Sequence, residues 1–189
     1  MQGEKAQSVV QVMAAVCILF LIFSVAAYFL FLKDSAFTSS SCHGVQGKIM
    51  IEGDLTYREI VQKALAETEK KDCKYSEFIF SNVKKISASR LFIFRAGEYR
   101  EEKGTIHVDP TVDNPAYAAG VIMHEACHSY QDKLGAPYSE TDCATTQYNF
   151  LLKTSSGEEA GRVKRVGDYF PQYQLGGKDV FEEWLAGAP

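Results

Sequence analysis

From Val9 to Leu32 the chain is almost unbroken apolar sequence, interrupted by Gln11 and Ser24, with Tyr28 amphipathic. As a helix this run would be ~36 Å long, enough to cross a hydrocarbon core of ~30 Å with some tilt. A soluble helix apolar on every face over that length would be unusual. A cleavable signal peptide would have a shorter apolar core of ~7–15 residues, ending in a small-x-small site. Here Tyr28, Phe29, Leu30 and Phe31 fill the place where cleavage would fall. The run therefore predicts an uncleaved, single-pass anchor over residues 9–32, with a short tail, residues 1–8, before it. Lys5 and the terminal amine precede the span, whereas Lys33 is offset by Asp34. The positive-inside rule then puts the tail in the cytoplasm and the remainder outside the cell membrane.

Residues 33–47 are rich in Ser, Thr and Gly and read as a linker, with His43 solvent-exposed and without a role. Residues 48–189 are enough for one ordinary domain. The chain's formal net charge of -4 argues against a nucleic-acid partner, because phosphate binding needs a basic face. Lys84, Lys85 and Arg90 lie near one another, as do Arg162, Lys164 and Arg165, but acidic residues interleave nearby and both groups read as solvated surface. Of the five cysteines, Cys17 falls inside the span. The other four permit three full pairings. An oxidising compartment favours Cys42–Cys73 and Cys127–Cys143; a cytosolic domain would keep four free thiols.

Within the domain, Thr56 and Glu59 form a capping-box pattern, and the apolar spacing that follows predicts a helix over 56–70. Residues 75–89 alternate and contain Phe78, Phe80, Val83 and Ile86, which predicts a strand; residues 91–94 are strand-like too. Ala96-Gly97 and Lys103-Gly104 bracket a hairpin whose last strand is Thr105–Val108. Asp113 or Asn114 can cap a helix with Pro115 at its first position, ending near Gly135. Ser139 and Asp142 resemble a capping box for another helix to about Lys153. A weakly helical basic stretch, a turn at Phe170-Pro171 and a final helix near residues 180–185 complete the chain. The order helix, strands, helix, helix predicts an α+β domain with a small mixed or antiparallel sheet.

His124-Glu125-Ala126-Cys127-His128 matches H-E-x-x-H inside a predicted helix. Residues four apart share one helical face, so two imidazoles can reach one metal ion. Glu125 is rotated by ~100° from His124, beside such an ion, where it can act as general base. A catalytic zinc site needs a third protein ligand and an open position. Glu140 is the candidate. The helix moves ~7–8 Å past His128, and about six loop residues can return up to ~20 Å. Asp142 is the next choice, with a competing role as a capping residue; Glu158, Glu159 and His107 are more distant alternatives.

This succession of elements around His124, Glu125, His128 and Glu140 resembles the zincin metallopeptidases, gluzincin branch, in their minimal form, the minigluzincins. The resemblance covers roughly residues 54–153. It implies a zincin-like domain, one Zn²⁺ per chain, and hydrolysis of peptide bonds by water activated at the metal, with Glu125 as base. It also implies an edge strand that binds substrate backbone just before the active-site helix, a place taken here by Thr105–Val108. The glutamate helix in the family often carries an aspartate four residues on, where this chain has Ala144. Tyr148, Tyr138, Tyr169, Tyr173 and His107 are candidate oxyanion donors, with Asp142 a candidate support for the ligands. Cys127 reads as a packing thiol or as a bridge to Cys143. A competing reading is a non-catalytic zincin-like domain that binds or scaffolds partners at a membrane.

Overall fold

Two aspartates set the first half of the fold. Asp54 accepts from the Tyr57 N–H at 2.9 Å and starts helix α1, Leu55–Lys71. Asp72 accepts from the Lys74 N–H at 2.9 Å and starts helix α2, Cys73–Asn82. A short side-chain oxygen at the residue before a helix satisfies an otherwise orphan N–H there. The computed structural model describes residues 16–24, 35–38, 42, 48–91, 95–100, 104–155 and 157–187. The cap of α1 is therefore Asp54 rather than Thr56, which lies inside the helix. The segment expected as a strand over 75–89 instead supplies α2 and only then a strand. Its buried residues Tyr75, Phe78, Ile79 and Asn82 recur at helical spacing.

The chain divides into two units, residues 1–33 and 34–189. In the first, residues 16–24 are helical and exposed, and Cys17 is a free cysteine. Among the described residues no helix is long and apolar enough to cross a membrane. The expected tail, and residues 9–15 and 25–32 of the expected span, lie outside the described residues, as do His43 and residues 92–94.

The second unit is α+β. Strands β1 (Ser35–Phe37), β2 (Ile49–Glu52), β3 (Lys85–Ala88), β4 (Gly97–Arg100) and β5 (Thr105–Val108) form one mixed sheet in the order β1-β2-β3-β5-β4. β2, β3 and β5 run parallel, and β1 and β4 pair antiparallel on the two edges. A parallel β2–β3 pair needs a crossover connection, which α1 and α2 supply. β1 and Cys42 lie in the stretch read as a linker, yet β1 pairs with β2 and Cys42 is bonded to Cys73. Part of that stretch therefore belongs to the folded unit. Thr105–Val108 lies between β3 and β4, so the edge strand beside the helix that carries His124 is β4 instead.

Helices α3 (Pro115–Lys133), α4 (Glu140–Thr154), α5 (Glu158–Tyr169) and α6 (Val180–Leu185) follow, with a 3₁₀ turn at Pro171–Tyr173. The sheet's inner face contributes Ile49, Ile51, Ile86, Ile106 and Val108 to the core, against Val61, Ala64 and Leu65 of α1 and Ile122 and Ala126 of α3. A second apolar region is aromatic. Tyr75 stacks on Phe181 at 4.2 Å and meets Phe150 edge-on at 4.9 Å, while Trp184 lies 5.4 Å from Phe78. Such pairs add ~0.5–1.5 kcal/mol each beyond area burial and tie the C-terminal helix to α2, and α2 to α4.

Candidate metal centre

Helix α3 runs through the middle of the unit. Asn114 caps it by accepting from the Tyr117 N–H at 3.1 Å, and Pro115 occupies its first turn. Every residue from Ala118 to Gln131 is buried. His124, Glu125 and His128 are thus 7%, 4% and 7% exposed, which rules out two surface histidines. Ionisable groups this deep need partners.

Glu140 supplies the partner. Ser139 caps α4 by accepting from the Asp142 N–H at 3.2 Å, so Glu140 is the first residue of that helix. Two features hold α4 against α3. At Gly120 an added Cβ would meet the Leu151 side chain at 2.8 Å, so only glycine allows this approach. The Cys127–Cys143 disulfide bonds the helices directly, with Cα atoms 5.5 Å apart.

The Nε2 atoms of His124 and His128 and Oε2 of Glu140 make a near-equilateral triangle. Its sides are 3.1 Å from His124 to Glu140, 3.3 Å from His128 to Glu140 and 3.2 Å between the imidazoles. Protons satisfy this arrangement poorly, because two N–H groups aimed at one oxygen would face each other. One cation satisfies all three lone pairs. Tetrahedral ligands ~2.0–2.1 Å from zinc stand ~3.3–3.4 Å apart, close to the sides found here. His124, His128 and Glu140 form a group that can hold a metal ion.

The surroundings suit that use. Gln131 lies one turn beyond His128, and its Oε1 is 3.2 Å from His128 Nδ1 and accepts from the Ser139 N–H at 3.2 Å. A proton on Nδ1 leaves the Nε2 lone pair for a metal. Gln131 was not singled out in the sequence; an amide three residues past the second histidine was the available signal. His124 Nδ1 has no such partner among the described residues.

Burial pushes the Glu140 carboxyl up, but hydrogen bonding to His124 and His128 outweighs it and holds the group well below the usual carboxylate range. Burial pulls the His128 ring down, but its hydrogen bond to Glu140, with the Glu125 and Glu140 charges and Gln131, more than reverses it and raises it above its ordinary value. Burial raises the Glu125 carboxyl above its ordinary value, against the opposing pull of His124 and His128. That suits a proton acceptor, since a base works best with a pKa nearer neutrality.

Edge strand β4 closes over Glu125. The backbone N–H of Tyr99 donates to its carboxylate. A Cβ at Gly97 would meet Glu125 Oε1 at 2.5 Å and Val121 Cγ1 at 2.6 Å. The Tyr99 hydroxyl donates to Asp132 at 3.1 Å, which anchors the strand to α3. A cleft of about 230 Å³ opens between β4 and the triad, with Tyr117, Tyr138, Val163 and Tyr173 on its walls. The Tyr173 ring is 6.3 Å from His124, and the Tyr138 ring is 5.5 Å from His128.

The other sequence candidates fall elsewhere. His107 shares a hydrogen bond with Ser87 at 2.9 Å, while its neighbours Ile106 and Val108 face the core. Strand alternation therefore points it away from α3. Asp142 Oδ1 accepts from the Lys178 N–H at 2.9 Å and anchors the C-terminal segment. Glu159 accepts from the Asn114 amide at 3.1 Å, and Glu158 is exposed on α5. Tyr148 packs against the core and Tyr169 is 81% exposed; neither lines the cleft. Tyr99 and Tyr117, not marked in the sequence, do.

Comparisons of the chain with protein-family models, with curated proteins and with solved structures give no match. Fold and site together define an α+β domain in which two histidines and one glutamate, lining a cleft, form a group that could hold a metal ion.

Proposed function

We propose that this chain is a zinc-dependent peptidase with a zincin-like, minigluzincin-type domain, tethered to the cell membrane by residues 9–32 and working outside the cytoplasm. The observation that carries the reading is the triangle of His124, His128 and Glu140, with Glu125 buried beside it under an edge strand. Two disulfides, Cys42–Cys73 and Cys127–Cys143, support an oxidising compartment.

His124, His128 and Glu140 would hold zinc, leaving the cleft side open. Zinc in such a site acidifies a coordinated water to a pKa of ~7 and polarises a carbonyl. Glu125, oriented by the Tyr99 N–H, takes a proton from the attacking water and delivers it to the leaving amine. Apart from the Tyr99 N–H held by Glu125, the outer edge of β4 offers backbone groups to an extended peptide, as edge strands do. Tyr173, half-buried and with its hydroxyl under the influence of Glu140 and Glu125, is a better candidate donor for the developing oxyanion than the more exposed Tyr138. Burial of a glutamate beside the ligands favours catalysis over a scaffold, which has no use for a base there.

The test uses the purified full chain. It should hold one zinc and cleave unstructured peptides, and a chelator should abolish cleavage. Glu125→Gln should keep the zinc and lose the activity. If that variant cleaves as fast as the parent, the base assignment falls; if the zinc-loaded parent cleaves nothing, the scaffold reading replaces this one.

A further inference from the structure

The cleft continues beyond the triad. Arg95, Ala96 and Tyr117 line it and also line a second cavity, whose walls include Arg90, Arg162, Asp109 and Asp113. Asp109 is already engaged. It accepts from the Leu91 N–H at 2.8 Å, the Thr111 N–H at 2.9 Å and the Thr111 hydroxyl at 2.7 Å, and Arg90 is the cation acting on it. Among the described residues, Arg95 and Arg162 have no carboxylate partner. Arg162 is exposed, and its guanidinium lies 5.0 Å above the Tyr117 ring, a cation–π contact that favours this placement. With Arg90, Arg95 and Arg162 against Asp109 and Asp113, the second cavity keeps a net positive charge beside the cleft of an acidic chain.

We propose that Arg95 and Arg162 form a carboxylate subsite for the peptide in the cleft, taking either an acidic side chain or the chain's C-terminal carboxylate. This rests on the peptidase reading above. Gly97 of β4 packs on Glu125, and Arg95 stands two residues before it. Ala96 between them is at a bend, so these two residues span at most about 7 Å. A peptide laid along β4 with its reacting bond at Glu125 therefore brings a group one or two residues away to Arg95. A guanidinium fork receives a carboxylate by two parallel hydrogen bonds, and two guanidiniums repel Lys or Arg at the same place.

The experiment measures equilibrium binding of fluorescent peptides to the zinc-loaded full chain carrying Glu125→Gln. Three versions of one apolar sequence are compared: neutral with an amidated end, the same with a free C-terminal acid, and amidated versions with a single Glu scanned along it. An anionic version should bind about tenfold more tightly than the neutral one, with the advantage shrinking as salt rises. A gain for the free acid alone identifies the chain end as the ligand; a gain for one Glu position identifies a side chain. The ratio of anionic to neutral affinity should fall to about one in Arg95→Gln/Arg162→Gln. It should largely survive in Arg95→Lys/Arg162→Lys, which separates lost charge from lost fold. Equal affinity for all peptides, or a preference that the Gln pair leaves intact, overturns the subsite. An arginine-dependent preference in a chain whose parent cleaves none of these peptides would leave the subsite standing and remove the hydrolase reading.

Discussion

Gly97→Ala adds one methyl group at the point where β4 rests on the proposed base. The backbone there is outside the left-handed region, so alanine is locally allowed, and it should restrict the unfolded chain by about 0.4–1 kcal/mol in favour of folding. Its Cβ, however, would lie 2.5 Å from Glu125 Oε1, 2.6 Å from Val121 Cγ1 and 2.9 Å from Glu125 Cγ, where ordinary contact begins at 3.4 Å. Either β4 or Glu125 must move by about 1 Å. Overpacking of this kind costs about 1–3 kcal/mol, so the net loss of stability should fall between about 0 and 2.6 kcal/mol. The effect on activity should be larger. A catalytic group misplaced by ~1 Å loses about a hundredfold, equivalent to about 2.7 kcal/mol on the barrier. Zinc affinity should stay within about threefold, because the atoms nearest that Cβ belong to Glu125 and Val121 and not to the three ligands. The assays are urea unfolding, zinc competition with a chromophoric chelator, and kcat/KM on a fixed peptide. A variant with kcat/KM within about threefold of the parent would refute the claim that β4 positions Glu125.

Other outcomes follow from the same geometry. Replacing Cys127 and Cys143 together by Ser removes a link across a sequence separation of 16 and should cost about 3 kcal/mol by loop entropy, read from urea midpoints. Gln131→Leu should weaken zinc binding by about 10–100-fold while Glu125 keeps its surroundings, because His128 loses the acceptor at Nδ1. Glu140→Ala should weaken zinc binding further than Gln131→Leu in the same competition assay, since it removes a ligand rather than a support.

Much of the site was legible because it depends on local spacing. His124, Glu125 and His128 lie within five residues, Asn114 and Pro115 mark the start of their helix, and Ser139 marks the start of the helix that begins at Glu140. Residues 75–83 misled because Phe78, Phe80 and Val83 favour strands as residue types. Strand propensity is set largely by context, and here the Asp72 cap and burial of Tyr75, Phe78, Ile79 and Asn82 made a helix. The sheet edges could not be read locally: β1 is three residues long, and β4 owes its place to pairing with β5 and to contact with α3. The roles of Tyr99, Tyr117 and Gln131 come from tertiary approach, which no period in the sequence encodes.

The most direct measurement of the metal centre is zinc K-edge X-ray absorption on the purified full chain. Coordination by His124, His128 and Glu140 predicts a four-coordinate shell of nitrogen and oxygen at ~2.0–2.1 Å, with two imidazoles and no sulfur. A sulfur shell at ~2.3 Å, or a chain that retains no zinc, would contradict it.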